Sequence, residues 1–247
     1  MDLVRSHYES FLAPVYSWLA GGAEAAFARG EMELDALRLT PLRSAAGALD
    51  LGAGFGMHSV PLARRGFNVV AVDSSGVLLR ELRSHAGNLP ILTAEGDLLD
   101  FPQYVTGPTD VILCMGDTLT HLTSRQEIAS LFAQVVAALA PGGVFVLSFR
   151  DYSAPMIRES RFIPVKSDAD RIFTCFLEYA NEHVDVYDVL HERQGSQWTQ
   201  RVSSYRKLRL PPDWICAALR EAGFQVTQEA GLSGMIRVVA RVNSSGS

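Results

Sequence analysis

Long apolar runs are missing from this sequence: nothing in its 247 residues is uniformly hydrophobic over the length needed to cross a bilayer, so no membrane partner is expected. The opening residues, MDLVRSHYES, lack the basic-then-apolar layout of a secretion leader. Cysteine is scarce. Cys114, Cys175 and Cys216 stand far apart, with neither metal-ligand nor disulfide-framework spacing, which points to reduced thiols in apolar packing, a cytoplasmic setting and no metal. Basic charge is also in short supply. The net charge is −5, whereas a nucleic-acid partner normally requires a clustered basic surface. The densest basic run, YRKLRL at 205–210, alternates polar and apolar residues and reads as one solvated strand face.

What is present is a globular pattern, 48% hydrophobic and long enough to bury a sizeable core. From about 46 to 150, apolar runs alternate with helix-like segments, the signature of a parallel sheet covered by helices. The strands read as AGALDLG, NVVAVD, ILTAEGD, DVILCMGD and VFVLSF. Between them, Pro61 requires the first helix to start or bend near it. Ser75 offers an N-cap to the second helix, and Ser124 with Glu127 a capping box to the third, which should stop at Pro141-Gly142-Gly143. From 151 to 210, β-forming residues alternate in polarity, predicting a small antiparallel sheet with turns near Asp168, Asn181 and Gly195. PPDWICAALREAGF returns to helix, and FQVTQEA and MIRVVARV form a closing strand pair. The first forty residues read as two helices with a broad aromatic surface, and the final SSGS as a disordered tail or tag remnant.

The stretch LDLGAGFGMHSVPLARRGFNVVAVDSS concentrates the chemistry. A strand that turns sharply into a helix presents free backbone N–H groups, and glycines let a ligand approach without meeting a Cβ. An acidic residue ending the next strand takes the two hydroxyls of a ribose; Asp73, 21 positions after Gly52, stands where that group belongs. The glycine spacing then discriminates. Gly52, Gly54 and Gly56 give G-x-G-x-G, and Met57 holds the place of the third dinucleotide glycine, which argues against NAD. No Gly-Lys-Ser/Thr follows, which excludes a phosphate P-loop.

LDLGAGFG followed by VVAVDSS, GDLLDF, DVILCMGDTLTHL and LAPGGVFVLSF resembles the class I S-adenosylmethionine-dependent methyltransferases over roughly 47–150. The resemblance implies an α/β fold: a doubly wound, mostly parallel seven-stranded sheet with helices on both faces, a small antiparallel insertion after strand five and an N-terminal helical cap. In those terms 1–45 is the cap, 46–150 and 211–242 the cofactor-binding core, and 151–210 a substrate lid. The implied cofactor is S-adenosyl-L-methionine. Gly52, Ala53 and Gly54 would lie against its methionine moiety with Asp50 near the amino group. Asp73 would bind the ribose with Ser74 beside the adenine, and Gly96, Asp97 and Leu98 would meet the ring. Met115 and Gly116 would line the sulfonium region, and Tyr16 would close over the donor.

Methyl transfer from a sulfonium needs positioning above all, and a base only when the nucleophile arrives protonated. Candidate catalytic groups follow strands four and five, at the edge where open α/β sheets bind ligands: Asp117, His121 and Arg150. His121 is a base or an orienting donor, and Arg150 a clamp for a substrate carboxylate or a partner of Asp117 or Asp151. Arg161, Arg171, Trp198 and Tyr205 are possible acceptor contacts on the lid. No Asn/Asp-Pro-Pro-Tyr/Phe, Cys-Pro pair or magnesium cluster is present, which leaves a small soluble acceptor methylated on nitrogen or oxygen. The rival from another class is a non-catalytic S-adenosylmethionine-binding or regulatory protein. Oligomeric state is not readable from the pattern.

Overall fold

The computed structural model describes residues 3–41 and 43–242; the terminal SSGS lies outside them. The chain begins with helix α1 (Leu3–His7), passes through a single π turn (Tyr8–Leu12) and continues as α2 (Ala13–Leu19), with Pro14 in the first turn of α2. Because α2 continues directly from the π turn, Pro14 removes one N–H from an unbroken helical path, and the irregular turn falls where its ring would otherwise clash with the carbonyl four residues earlier. Gly21 and Gly22, at φ +82° and +94°, then reverse the chain into α3 (Ala23–Ala36).

The strands β1 (Gly47–Leu51), β2 (Asn68–Asp73), β3 (Ile91–Glu95), β4 (Thr109–Cys114) and β5 (Leu139–Phe149) are parallel neighbours. Helices α4 (Ser59–Arg64), α5 (Gly76–Ala86) and α6 (Arg125–Ala138) link β1 to β2, β2 to β3 and β4 to β5, and a 3-10 segment (Leu98–Gln103) links β3 to β4. After the insertion, α7 (Pro212–Glu221) leads to the antiparallel pair β10 (Phe224–Ala230) and β11 (Ile236–Val242). The seven strands lie in the order β10-β11-β5-β4-β1-β2-β3. The chain winds outward from β1 to β3 and returns to β4 on the other side of β1, so the carboxyl ends of β1 and β4 flank the switch point where such sheets open a crevice.

Apolar packing on both faces explains why these strands carry so little alternation. Leu49, Leu51, Ile112, Phe132, Phe145 and Phe149 are closed from solvent on one side, and Leu62, Phe67, Leu113 and Val146 on the other. Each such side chain contributes about 1.5–3 kcal/mol by leaving water.

The local signals hold in most places. Ser75 Oγ accepts from Leu78 N at 3.3 Å and Ser124 Oγ from Glu127 N at 3.2 Å. Glu127 does not close the expected box on Ser124; its carboxylate takes the backbone N–H and the hydroxyl of Thr123, both at 2.7 Å. The third helix stops at Ala138 rather than at the proline. Strand β5 starts at Leu139, and Pro141-Gly142-Gly143 forms a bulge in it, with Gly142 at φ +77° and the β4 register shifting between Thr109 and Val111.

The insertion is a four-stranded antiparallel sheet: β6 (Phe162–Ser167), β7 (Arg171–Tyr179), β8 (His183–Gln194) and β9 (Gln197–Leu208), in that order. Its reversals fall at Asp168, Asn181 and Gly195, and Asp168 Oδ1 caps the first by accepting from the N–H groups of Asp170 and Arg171. Along β8 every second residue is buried, so Val184, Val186, Asp188 and Leu190 face inward. Among the described residues no helix is long and apolar enough to cross a membrane.

Candidate functional site

Gly52, Gly54 and Gly56 all have positive φ, at +75°, +54° and +101°. A Cβ on Gly52 would sit 2.4 Å from the Thr118 side chain, and one on Gly56 2.2 Å from Leu82. Those two glycines allow close packing. Gly54 leaves its N–H pointing across to β2, where it donates to Asp73 Oδ2 at 2.8 Å; Oδ1 accepts from Ser75 N, also at 2.8 Å. Burial pushes the Asp73 carboxyl up to about 6, against the pull of these backbone donors.

Around this junction opens a cleft of about 860 Å³, bounded by the sheet's carboxyl edge below and by α1, α2 and the antiparallel sheet above. Gly52, Ala53, Gly54, Asp73, Ser74, Gly96, Asp97, Leu98, Met115, Gly116, Asp117, His121, Arg150 and Tyr16 all line it. The Tyr16 ring approaches to 3.8 Å from where a Gly54 Cβ would be. Asp97 is partly engaged already, its Oδ1 accepting from Leu99 N at 2.9 Å.

Asp50 is the exception among the sequence candidates. It is 2% exposed, does not line the cleft and accepts from Ser59 Oγ at 2.6 Å beneath the glycine turn. The start of α4 supplies that hydroxyl and covers the carboxylate. In its place the cleft meets Arg29 and Glu33 of α3. The Arg29 guanidinium is braced by Ala20 O at 2.5 Å, and Glu33 Oε2 lies 2.8 Å from His58 Nε2. Burial opposes charge on His58, but Glu33 and Asp50 outweigh it and raise its imidazole above the ordinary range. Sequence reasoning missed Arg29 and Glu33. They stand four apart on α3, so a shared helix face was the available signal.

The other end of the cleft is built around Asp117, which follows β4 in the left-handed region at φ +77°. Its carboxylate is 3% exposed and filled by three donors: Arg150 N at 3.0 Å, Tyr152 Oη at 3.0 Å and Lys207 Nζ at 2.5 Å. Burial works to raise Asp117, yet Lys207 and the backbone donor hold it below the usual carboxylate range. The same ion pair overcomes the desolvation of Lys207 and holds its ammonium well above the ordinary lysine value. So occupied, Asp117 is a structural anchor rather than a free base. The Arg150 side chain donates to Ser233 O at 3.1 Å, while its backbone N–H serves Asp117.

Lys207 corrects the reading of 205–210 as a solvated face. Tyr205 and Lys207 point inward from β9 and are 8% exposed each, while Arg206 faces out to Asp185 at 3.1 Å. His121 Nε2 lies 3.2 Å from Tyr8 Oη, and its Nδ1 is buried without a partner among the described residues. Burial, reinforced by Lys207, pushes His121 down to about 3, so it is neutral at physiological pH and weakly basic. Tyr8 and Tyr205 are raised, chiefly by burial, and stay protonated.

Of the remaining candidates only Tyr205 lines the cleft. Arg161 lies 5.0 Å over the Phe176 ring, Arg171 lies 4.5 Å over Trp18, and Trp198 is 46% exposed beneath Arg193.

Comparison with known proteins sets the chain beside methyltransferases. Residues 48–143 match a family described as "Methyltransferase domain". A glycine/sarcosine N-methyltransferase of Parasynechococcus marenigrum (strain WH8102) is 32% identical over 128 residues, 51% of this chain and 45% of that protein. A ubiquinone biosynthesis O-methyltransferase of Caulobacter sp. (strain K31) is 34% identical over 106 residues, 40% of this chain and 39% of that protein. The chain thus aligns with less than half the length of each of these two relatives. The CcbJ methyltransferase of Streptomyces caelestis shares the fold across 96% of this chain and 98% of its own, with a TM-score of 0.78 at 21% identity.

Proposed function

We propose that this chain, which belongs to the class I S-adenosylmethionine-dependent methyltransferases, transfers a methyl group from S-adenosylmethionine to an amine nitrogen of a small molecule. The observation that carries the donor half is the open cleft between the glycine turn and Asp73, with that carboxylate poised by Gly54 and Ser75. A carboxylate has about four acceptor positions, so two remain for the hydroxyls of a ribose.

The charge pattern along the cleft fits the rest of the donor. Arg29 would take the methionine carboxylate, and Glu33, with His58 behind it, the methionine ammonium. Asp97 and Leu98 would meet the adenine at the far end, and Tyr16 would lie over the turn. Met115 and Gly116 would border the sulfonium. The volume, about 860 Å³, sits toward the upper end of the roughly 300–1,000 Å³ range of ligand pockets, which leaves space for an acceptor beside the donor.

Bound S-adenosylmethionine supplies a methyl group that already carries its activation. What the chain must add is alignment and exclusion of water, worth about 7–11 kcal/mol when the reacting atoms are held well. The preference for nitrogen follows from proton chemistry. Asp117 is occupied, His121 is a weak base, the tyrosines are protonated and Lys207 is charged. These groups lack the basicity to strip a proton from a hydroxyl, whereas a neutral amine brings its own lone pair.

Calorimetry with S-adenosylmethionine and S-adenosylhomocysteine tests the donor site. Turnover against small amines, phenols and carboxylic acids tests the acceptor. Absence of binding at concentrations far above micromolar refutes the donor assignment; faster turnover of phenols or acids than of amines refutes the choice of nitrogen.

A further inference from the structure

Methyl transfer to an amine gives Asp117 and Lys207 no proton to move, yet the fold buries an ammonium at the acceptor end of the cleft. Lys207 Nζ carries three donors. Among the described residues Asp117 accepts one of them, and the rings of Tyr152 and Tyr205 lie 5.8 and 5.5 Å from the charge. The other two have no acceptor among the described residues, and Lys207 lines the cleft.

We propose that Lys207 positions the methyl acceptor by holding an uncharged oxygen of it, so that the acceptor is an amino alcohol or amino polyol rather than a free amino acid. The proposal rests on the methyltransferase reading above and deepens it to a substrate class.

Charge balance separates the two kinds of acceptor. The Lys207 cation is already neutralised by Asp117, whose pair with it is shielded from water. A carboxylate seated on Lys207 would place a second anion beside Asp117 without a second cation, and an unpaired buried charge is costly. The surrounding wall offers little relief. Asp151 and Asp188 also line the cleft, and Arg150, a further cation in its wall, has its head on Ser233 O. A hydroxyl or ether oxygen fills the same donors while leaving the net charge unchanged.

The polar atoms next to Lys207 point the same way. His121 Nδ1 is buried and unpartnered among the described residues, and Tyr205 lines the cleft beside it. The His121 and Tyr205 rings are 5.5 Å apart, so these groups and the ammonium form one patch. Such a set satisfies several neutral oxygens on a compact molecule and leaves its amine free.

The test uses the whole protein saturated with S-adenosylhomocysteine, titrated calorimetrically with ethanolamine, 2-amino-2-deoxyglucose, glycine and hexylamine. An amino alcohol should bind at least tenfold more tightly than glycine and hexylamine, and Lys207→Met should weaken it at least tenfold while leaving S-adenosylhomocysteine affinity unchanged. Glycine or hexylamine binding as tightly as the amino alcohols, no binding by either amino alcohol, or an unchanged acceptor affinity in Lys207→Met overturns the proposal. Because Lys207→Met strands Asp117, the neutral pair Lys207→Met with Asp117→Asn serves as a second variant and should lose acceptor affinity equally. The preference among probes is read on the unmodified protein, so it decides even where neither variant folds. Failure of S-adenosylhomocysteine to bind the unmodified protein strikes the methyltransferase reading instead, through a separate readout.

Discussion

Acidifying the protein should weaken the donor site in a way set by one side chain. Asp73 is held at about 6 in the unliganded protein because burial opposes its charge. Two sugar hydroxyls donating to it need the ionised form, since a protonated carboxyl gives up acceptor capacity. Ligand binding therefore follows the ionised fraction, which is nearly complete at about pH 8 and falls to roughly a tenth at about pH 5. The expected loss of affinity over that span is about tenfold, or about 1.4 kcal/mol. Isothermal titration calorimetry of S-adenosylhomocysteine across the range measures it, with the midpoint of the decline near pH 6. The same series on Asp73→Asn separates the effect from the ligand's own ionisations: the variant should bind far more weakly and show no step near 6. An affinity that stays flat in the parent, or an equal step in Asp73→Asn, would refute the assignment of the sugar to this carboxylate.

Three further outcomes follow from the geometry. Gly52→Ala should cost at least tenfold in S-adenosylhomocysteine affinity and about 1–3 kcal/mol of stability, because its Cβ would meet Thr118 at 2.4 Å from a backbone at φ +75°; calorimetry and denaturant melts check both. Lys207→Met should destabilise the fold by about 3–5 kcal/mol through the stranded Asp117, and adding Asp117→Asn should restore most of it, as read from urea midpoints. His121 sits at about 3 when folded and at its ordinary 6.5 when unfolded, so the unfolded chain binds the extra proton and stability is lost as pH falls below 6.5. The loss reaches about 2 kcal/mol by pH 5. Asp73, raised on folding, contributes the opposite sign, so the comparison is made between the parent and His121→Gln, whose acid sensitivity should be smaller by that amount.

The architecture was legible because its signals are local. Alternating apolar runs and helices, serines before α5 and α6, and turn residues at 168, 181 and 195 each act over a few positions. Asp73 was legible too, since the strand-turn-helix geometry fixes its distance from the glycines. The misread residues depend on which elements meet. Asp50 points to a hydroxyl that only the start of α4 brings beneath it. Lys207 follows the strand alternation correctly but on the inward face, where Asp117, 90 positions earlier, makes a charge tolerable. Nothing within β9 announces that partner. Arg29 and Glu33 become cleft residues only once α3 packs near the glycine turn.

The junction at Gly21 and Gly22 has a kinetic consequence. Residues 3–20, with Tyr8 and Tyr16 over the cleft, cover both of its ends and are tied to the antiparallel sheet by His7 with Ser203 at 2.8 Å, Trp18 with Asp168 at 2.6 Å and Arg201 with Phe11 O at 3.3 Å. Swinging that one strap about the two glycines would uncover both ends of the cleft at once. Exchange of whatever the cleft holds would then depend on that one segment, fastened in part by a histidine whose ring lies 4.3 Å from that of Tyr205.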